Sequence, residues 1–312
     1  MTDDNGAAWP QLSARLRAGL LAAAVAGTAL LAAACGGDSP ASSSPASASS
    51  SPAPSSGHLY WTNTQWIGRA RLDGTDVNQK FITGAAGAGM VAVSSGYLYW
   101  ANIGRPGAPD GSGTIGRARL DGTGVNQKFV TGASLPVGVT AAGGYLYWTN
   151  NATGTIGRAR LNGTAVTQRF ITTAQLNGPD AVVVGSGHIY WANDYNIGRA
   201  NLNGTEVNQR FIAVPNGPKG VAGLAVNSRY IYWTNETAGT IGRARLNGTA
   251  VTQRFITGAS NPDALTVDSR DLYWANWGSG TIGRARLNGT GVSQRILTIP
   301  GHPRGVAVDP GR

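Results

Sequence analysis

Short runs of alternating apolar and polar residues recur along the chain from His58 to its end. Near the end, the runs ALTV, DLYWAN, TIGRARL and VSQRILT are separated by the polar or glycine-containing segments DSR, WGSG and NG. Alternation over four to eight residues between turn-forming residues predicts β-strands. The pattern therefore predicts four consecutive antiparallel strands in this part of the chain.

The four-strand pattern occurs six times. A Tyr-Trp pair followed by Thr or Ala and then Asn marks each copy, at intervals of 39 to 48 residues, and begins at Tyr60, Tyr99, Tyr147, Tyr190, Tyr232 and Tyr273. A repeat of about forty residues with four strands is typical of a propeller blade. We therefore predict an all-β fold, a six-bladed β-propeller of four-stranded antiparallel blades.

An Asn-Gly or Asp-Gly pair lies between the third and fourth strands of every copy. We expect a two-residue type I′ turn there, with both central residues at positive φ. The first copy, GHLYWTN, has no first strand before it, whereas the chain ends in a lone first strand, PRGVAVDPGR. We therefore expect residues 305–309 to pair with the strand that begins at His58, which closes the ring and hides two sheet edges.

The repeat resembles the YWTD repeat of the low-density-lipoprotein-receptor propellers, which are six-bladed. The resemblance rests on the Tyr-Trp-Thr segments, the I-x-R-x-x-L-D/N-G-T segments and the G-V/L-A-V-D-like first strands, and it covers residues 57–312. All six copies carry Asn where the family has Asp: Asn63, Asn102, Asn150, Asn193, Asn235 and Asn276. An amide can hydrogen-bond neighbouring backbone, but contacts that need the carboxylate charge are not expected.

The segment before the repeats has the features of an export signal. An apolar run of 17 residues, Ala18 to Ala34, follows Arg15 and Arg17 and precedes Cys35, the single cysteine. This arrangement resembles a bacterial lipobox, with Ala32 where the family usually has Leu. It predicts a signal peptide over 1–34, a lipidated Cys35 with a Ser/Pro/Ala tether over 35–57, and the propeller over 58–312. An uncleaved signal anchor is the alternative, and both place the repeats outside the cytoplasmic membrane.

The formal net charge of +10 comes mostly from repeated arginines and lysines. An even distribution around a ring favours a solvated face, and an exported chain meets no nucleic acid. The alternative is long-range attraction to anionic cell-wall polymers, which salt would weaken. We expect a monomer that contacts the membrane through its lipid anchor.

The loops between second and third strands vary among the copies, so we place the candidate ligand site there. Trp66 and Trp277 are the tryptophans of these loops, in the first and sixth copies, which ring closure makes neighbours. Side by side they would form a stacking platform, although each could instead cap its own blade. The fourth copy contributes Asp194 and Tyr195 to the same face.

Charged residues also occur at the start of the predicted first strands. Asp180, Asp263 and Arg304 follow the proline that precedes these strands, and His302 lies two residues before Arg304. A salt bridge between Asp263 and Arg304 and a contact to a ligand are both compatible with this pattern.

Two classes of function remain open from the sequence. Phrases such as N-x-I-G-R resemble bacterial streptogramin-lyase propellers, which use histidine and a bound metal. The chain has three histidines, His58, His188 and His302, and they are not expected to converge. We therefore expect no cofactor, no metal and no catalysis. The prediction is a surface-anchored module that binds or scaffolds an extracellular protein or a cell-wall glycan, and a purely structural protein is a further alternative.

Overall fold

The computed structural model describes residues 57–104, 109–173, 178–193, 195–214 and 220–311. Within them the chain forms 24 strands in six four-stranded antiparallel sheets. The all-β six-bladed propeller predicted from the repeat is therefore confirmed. The predicted signal peptide, Cys35 and the tether lie outside the described residues.

Each sheet is one blade, ordered here from the ring axis outward. Blade 1 contains β24 (Val306–Asp309), β1 (His58–Thr62), β2 (Trp66–Arg71) and β3 (Asn78–Thr83). Blade 2 contains β4 (Ala88–Ser94), β5 (Tyr97–Asn102), β6 (Gly113–Arg119) and β7 (Asn126–Ala133). Blade 3 contains β8 (Pro136–Ala142), β9 (Tyr145–Asn150), β10 (Thr155–Arg160) and β11 (Thr167–Thr172).

The remaining blades follow the same order. Blade 4 contains β12 (Val182–Gly185), β13 (His188–Asn193), β14 (Asn196–Asn201) and β15 (Asn208–Ala213). Blade 5 contains β16 (Val221–Val226), β17 (Tyr230–Asn235), β18 (Thr240–Arg245) and β19 (Thr252–Thr257). Blade 6 contains β20 (Pro262–Val267), β21 (Asp271–Asn276), β22 (Thr281–Arg286) and β23 (Ser293–Thr298).

The two ends of the described chain close the ring. Strand β24 pairs antiparallel with β1, with His58 opposite Asp309 and Trp61 opposite Val306. The Thr62 N–H donates to the Gly305 carbonyl at 3.1 Å, and the Gly305 N–H donates to the Thr62 hydroxyl at 2.7 Å. The predicted closure is therefore confirmed.

The turn between the third and fourth strands differs from the expected type I′. Only the glycine of the pair has positive φ, for example 88° at Gly74, whereas Asp73 does not. The Gly74 N–H donates to the Arg71 carbonyl and the Arg71 N–H to the Thr75 carbonyl. This is a type I turn followed by a left-handed glycine. The Asp73 carboxylate stabilises it by accepting from both the N–H and the hydroxyl of Thr75.

The core consists of six apolar clusters, one between each pair of adjacent blades. The Tyr and Trp of each motif are neighbours on one strand and therefore point to opposite faces. Tyr99 packs in the cluster with blade 3, for example, and Trp100 packs in the cluster with blade 1. The aromatic pair thus joins each blade to both of its neighbours.

A glycine on the third strand accommodates each motif tryptophan. Trp148 lies opposite Gly157, and a Cβ at Gly157 would overlap the indole ring. The same close approach occurs in all six blades, at Gly68, Gly116, Gly157, Gly198, Gly242 and Gly283. The I-G-R segment therefore requires glycine because the indole occupies the Cβ position.

A glutamine on each outer strand links adjacent blades. Its side-chain amide donates to a carbonyl at the end of the preceding outer strand, and Gln79 thereby bonds Thr298 across the closure at 3.3 Å. In blade 3 the Gln168 side-chain oxygen also accepts from the Trp148 indole at 3.1 Å. The sequence reasoning missed this contact, although the glutamine recurs in all six copies.

The motif asparagine that replaces the family's aspartate has a structural use. Asn150 donates through its amide to the Gln168 carbonyl at 2.7 Å and to the Thr155 hydroxyl at 3.2 Å. Its oxygen accepts from the Ser134 N–H at 2.9 Å. A carboxylate could not donate the first two bonds. The expected bonding of the amide to neighbouring backbone is therefore confirmed.

Candidate functional site

The connections of the blades form two different surfaces. We name as the loop face the surface formed by the loops between second and third strands and by the connections between blades. These segments bond to each other, since the Gly87 N–H donates to Thr64 and the Ile299 N–H donates to Gly280. The opposite surface, the hairpin face, carries the tight turns. The loop face contains most of the candidate residues from the sequence.

Charged side chains collect at the loop-face end of the inner strands. Asp180, Asp263 and Arg304 each lie two residues before the inner-strand residue that pairs with the motif tryptophan. The three other blades carry uncharged residues at this position, namely Gly89, Val137 and Ala222. The sequence correctly identified these three charges, but it did not identify their partners.

Arg304 lies within the electrostatic field of two acidic residues from neighbouring blades. Burial lowers the pKa of its guanidinium, and the charges of Asp263 and then Glu236 oppose that shift. The Glu236 side chain is buried, at 9% exposure, directly after the motif asparagine of blade 5. An arginine remains protonated even in such surroundings, so this part of the mouth presents a fixed cation between acids.

Asp180 is held by a neighbouring blade in a related way. The Asn151 amide donates to the Asp180 carboxylate at 2.8 Å and to the Gly178 carbonyl at 3.1 Å. Asn151 and Glu236 occupy the same repeat position, immediately after the motif asparagine. The six copies differ there, with Thr64, Ile103, Asn151, Asp194, Glu236 and Trp277. This variation is the signal that would have identified both residues from the sequence.

The channel below this mouth is apolar and narrow. The inner strands enclose a cavity of about 320 Å³, lined mainly by Val, Ala and Leu. Met90 occupies a position where the other blades carry only Gly or Ala: Gly138, Ala181, Gly223, Ala264 and Gly305. Its side chain packs against the cluster of blades 6 and 1 and against that of blades 4 and 5. Met90 therefore crosses the axis and separates the charged mouth from the rest of the channel.

The two candidate tryptophans have different surroundings. The Trp277 ring stacks on His302 with centroids 4.3 Å apart, and the His302 Nδ1 lies 2.7 Å from the Trp277 carbonyl oxygen. The Lys80 ammonium lies over the Trp66 ring at 5.2 Å. Both indoles are partly buried, and no ring contact joins them within the described part of the chain. The joint stacking platform therefore stays a prediction.

The other candidates are separate from the mouth or are not described. Tyr195 is half exposed, at 50%, while Asp194 lies outside the described residues. His58 and His188 begin second strands on the hairpin face, far in the fold from His302. Burial, followed by the charge of Arg69, lowers the pKa of His58. The three histidines therefore do not form one site.

Two further searches concern only the described segments. No group of three or more His, Cys, Asp or Glu residues there has the arrangement of a metal site. None of their secondary structure is a helix of the length and hydrophobicity needed to span a bilayer.

Comparisons with known proteins identify the fold. No model of a protein family matches the chain, and no curated protein matches its sequence. Among solved structures, a chain of the nidogen/laminin complex has a TM-score of 0.64 at 20% identity, covering 81% of this chain and 98% of that one. This likeness supports a six-bladed propeller with a YWTD-like repeat.

Two enzymes have the same fold at similar distance. A catalytically inactive variant of virginiamycin B lyase from Staphylococcus aureus, crystallised with quinupristin, gives a TM-score of 0.54 at 20% identity, covering 77% of this chain and 80% of that chain. A gluconolactonase from Xanthomonas campestris gives 0.55 at 15% identity, covering 70% and 78%. The chain is thus similar in fold both to a propeller from a protein complex and to propeller enzymes.

Proposed function

We propose that this protein is a non-catalytic binding module, anchored outside the cytoplasmic membrane through Cys35, that recognises its ligand at the loop-face mouth. The observation that carries the proposal is the group of buried charges at this mouth. Blades 2, 3 and 5 form with Gly, Val or Ala at the position of Asp180, Asp263 and Arg304. The charges are therefore not needed to build a blade, and burying them without a use would cost stability.

The chemistry of the mouth favours a polar ligand. Asp180, Asp263 and Glu236 supply acceptors, and the guanidinium of Arg304 supplies donors. Hydroxyl groups of a glycan, or a basic side chain at the tip of a protein loop, match this set. Met90 limits the depth of the site, which favours a protruding group over a ligand that enters the channel. The nidogen propeller in a complex with laminin supports a protein ligand by analogy of fold.

The test is a binding screen of the full chain against purified cell-wall polymers, glycans and secreted proteins at low and physiological salt. Asp263→Ala introduces the residue that blade 5 carries as Ala222, so the blade should still form. We expect this variant to weaken binding at least about tenfold. Arg286→Ala on the hairpin face is the matched control and should bind normally.

Two results would contradict the proposal. Binding that disappears in physiological salt and is indifferent to Asp263→Ala would leave only the general positive field of the ring. Turnover of quinupristin, lost in His302→Ala, would instead establish the lyase alternative. The variants Trp66→Ala and Trp277→Ala, measured in the same screen, test the predicted stacking platform.

A further inference from the structure

A stack of a cation and aromatic rings fills the space between blades near the hairpin face. In five blades the first arginine of the I-G-R segment lies 3.8 to 4.4 Å from the centroid of a phenylalanine on the outer strand. In blades 2, 3 and 5 a tyrosine lies on the same guanidinium at 4.5 to 4.8 Å. These arginines are therefore not the simple solvated face expected from their distribution.

The phenylalanine of each stack also reaches the next blade. The Phe129 ring of blade 2 lies 3.1 Å from where a Cβ at Gly163 of blade 3 would be. The same contact joins each of the other four phenylalanines to the turn glycine of the following blade. The ring thus wedges under the turn and closes the interface.

Blade 6 lacks both rings of this stack. Ile296 stands where the other blades have phenylalanine, and Asp271 stands where they have tyrosine or histidine. The next turn, at Gly74 in blade 1, meets only the Ile296 backbone carbonyl on this side, 2.9 Å from the Cβ position. A cavity of about 510 Å³ lies at this interface, which is the closure of the ring. We name it the seam cavity.

The deeper lining of the seam cavity is polar and partly ordered. It includes Asp268, Asp271, Tyr273 and Arg284 of blade 6. The Tyr273 hydroxyl donates to one oxygen of Asp268 at 3.3 Å, and the N–H groups of Arg270 and Asp271 donate to the other at 2.7 Å each. Asp268 is therefore held in place beside the second carboxylate.

The charges at the cavity are incompletely balanced in its deeper part. Burial raises the pKa of Asp271, and the neighbouring charge of Asp268 raises it further. Arg284 is partly buried, whereas Arg270 and Arg286 are exposed at the rim. A cation placed between the two carboxylates would offset both burial and repulsion.

We propose that the seam cavity binds an aromatic ring that carries a primary ammonium group, as in an aromatic amino acid or the aromatic N-terminal residue of a peptide. The ring occupies the space that Phe and Tyr fill in the other blades and lies over the Arg284 guanidinium. The ammonium group lies against Asp271 and Asp268. The cavity volume is within the usual range for a small-ligand site. This site lies on the face opposite the proposed loop-face mouth and does not depend on it.

The experiment is calorimetric titration of the full chain with phenethylamine at up to millimolar concentration. We expect saturable binding, and none with 3-phenylpropionate, which has the same ring and the opposite charge. Asp271→Asn should weaken binding of phenethylamine about tenfold or more, because the ammonium loses a charged partner. L-Phenylalanine and the peptide Phe-Gly-Gly then distinguish a free amino acid from a peptide N-terminus by which binds more tightly.

A refilled variant separates loss of the site from loss of the fold. Ile296→Phe combined with Asp271→Tyr gives blade 6 the residues that already form the stack in blades 2, 3 and 5. It should melt no lower than the parent chain and should no longer bind phenethylamine. Trp277→Ala, on the loop face, should bind normally. Absence of phenethylamine binding, equal binding of 3-phenylpropionate, or undiminished binding by the refilled variant would overturn the proposal.

Discussion

Replacing Gly157 with alanine tests whether the motif tryptophan imposes glycine on its neighbouring strand. Trp148 is fully buried opposite Gly157, and the new Cβ would overlap the Cε2 and Nε1 atoms of the indole. The indole must move, and it would then lose its 3.1 Å hydrogen bond to Gln168. We therefore expect Gly157→Ala to destabilise the fold.

The magnitude follows from three contributions. Overpacking a core costs about 1–3 kcal/mol, and the lost hydrogen bond costs about 1 kcal/mol. The lower entropy of alanine in the unfolded chain offsets about 0.4–1 kcal/mol. The net loss in the free energy of unfolding is about 2–3 kcal/mol, measured by denaturant titration of tryptophan fluorescence.

A double-mutant cycle with Trp148→Phe isolates the steric contact. The smaller ring leaves space for the alanine, so the double variant should be more stable than the sum of the single changes predicts, by at least about 1 kcal/mol. Gly144→Ala is the control in the same blade, because Gly144 has a positive φ of 82° and open space around its Cβ position. It should cost backbone strain but show no coupling to Trp148→Phe. Additive effects of Gly157→Ala and Trp148→Phe would refute the steric explanation.

Three further predictions concern the closure, the motif asparagine and the turns. Removing residues 305–312 should lower the melting temperature and broaden the transition, because β1 loses its inner partner; an unchanged calorimetric melt would contradict ring closure. Asn150→Asp should lower the free energy of unfolding by about 3 kcal/mol at neutral pH and less in acid, where protonation restores a donor toward the Gln168 carbonyl; equal loss at both pH values would contradict this. Hydrogen bonds from the Thr75 hydroxyl and N–H hold the pKa of Asp73 below its ordinary value. The stability linked to this carboxylate is therefore present above its unfolded pKa and is lost as pH falls through the folded value. Thr75→Ala should raise that pKa in an NMR titration, and an unmoved pKa would exclude the hydroxyl as the main cause.

The type of turn shows where local sequence rules were insufficient. Asn-Gly and Asp-Gly pairs favour type I′ hairpins, but each pair here is followed by threonine, whose N–H and hydroxyl bond the preceding side chain. This bond holds Asn162 or its equivalents outside the left-handed region and leaves positive φ to the glycine. A local contact three residues long therefore changed the turn, and the threonine was visible in every copy.

The candidate site was predictable only in part. The charges of Asp180, Asp263 and Arg304 stand out because other copies lack them. Their neighbours Asn151 and Glu236 belong to different strands, and nothing local indicates that they meet the inner-strand charges at the axis. The same holds for Met90, which crosses the channel to contact clusters of distant blades.

The sequence by itself determined the repeat, the number of blades and the closure of the ring. These follow from hydrophobic alternation and from the incomplete first and last copies, which are properties of short segments. Only the tertiary structure decided which side chains share the mouth and where the seam cavity opens. Both depend on the space left between blades. That space is set by the packing of side chains far apart in the chain, such as Ile296 against the turn at Gly74.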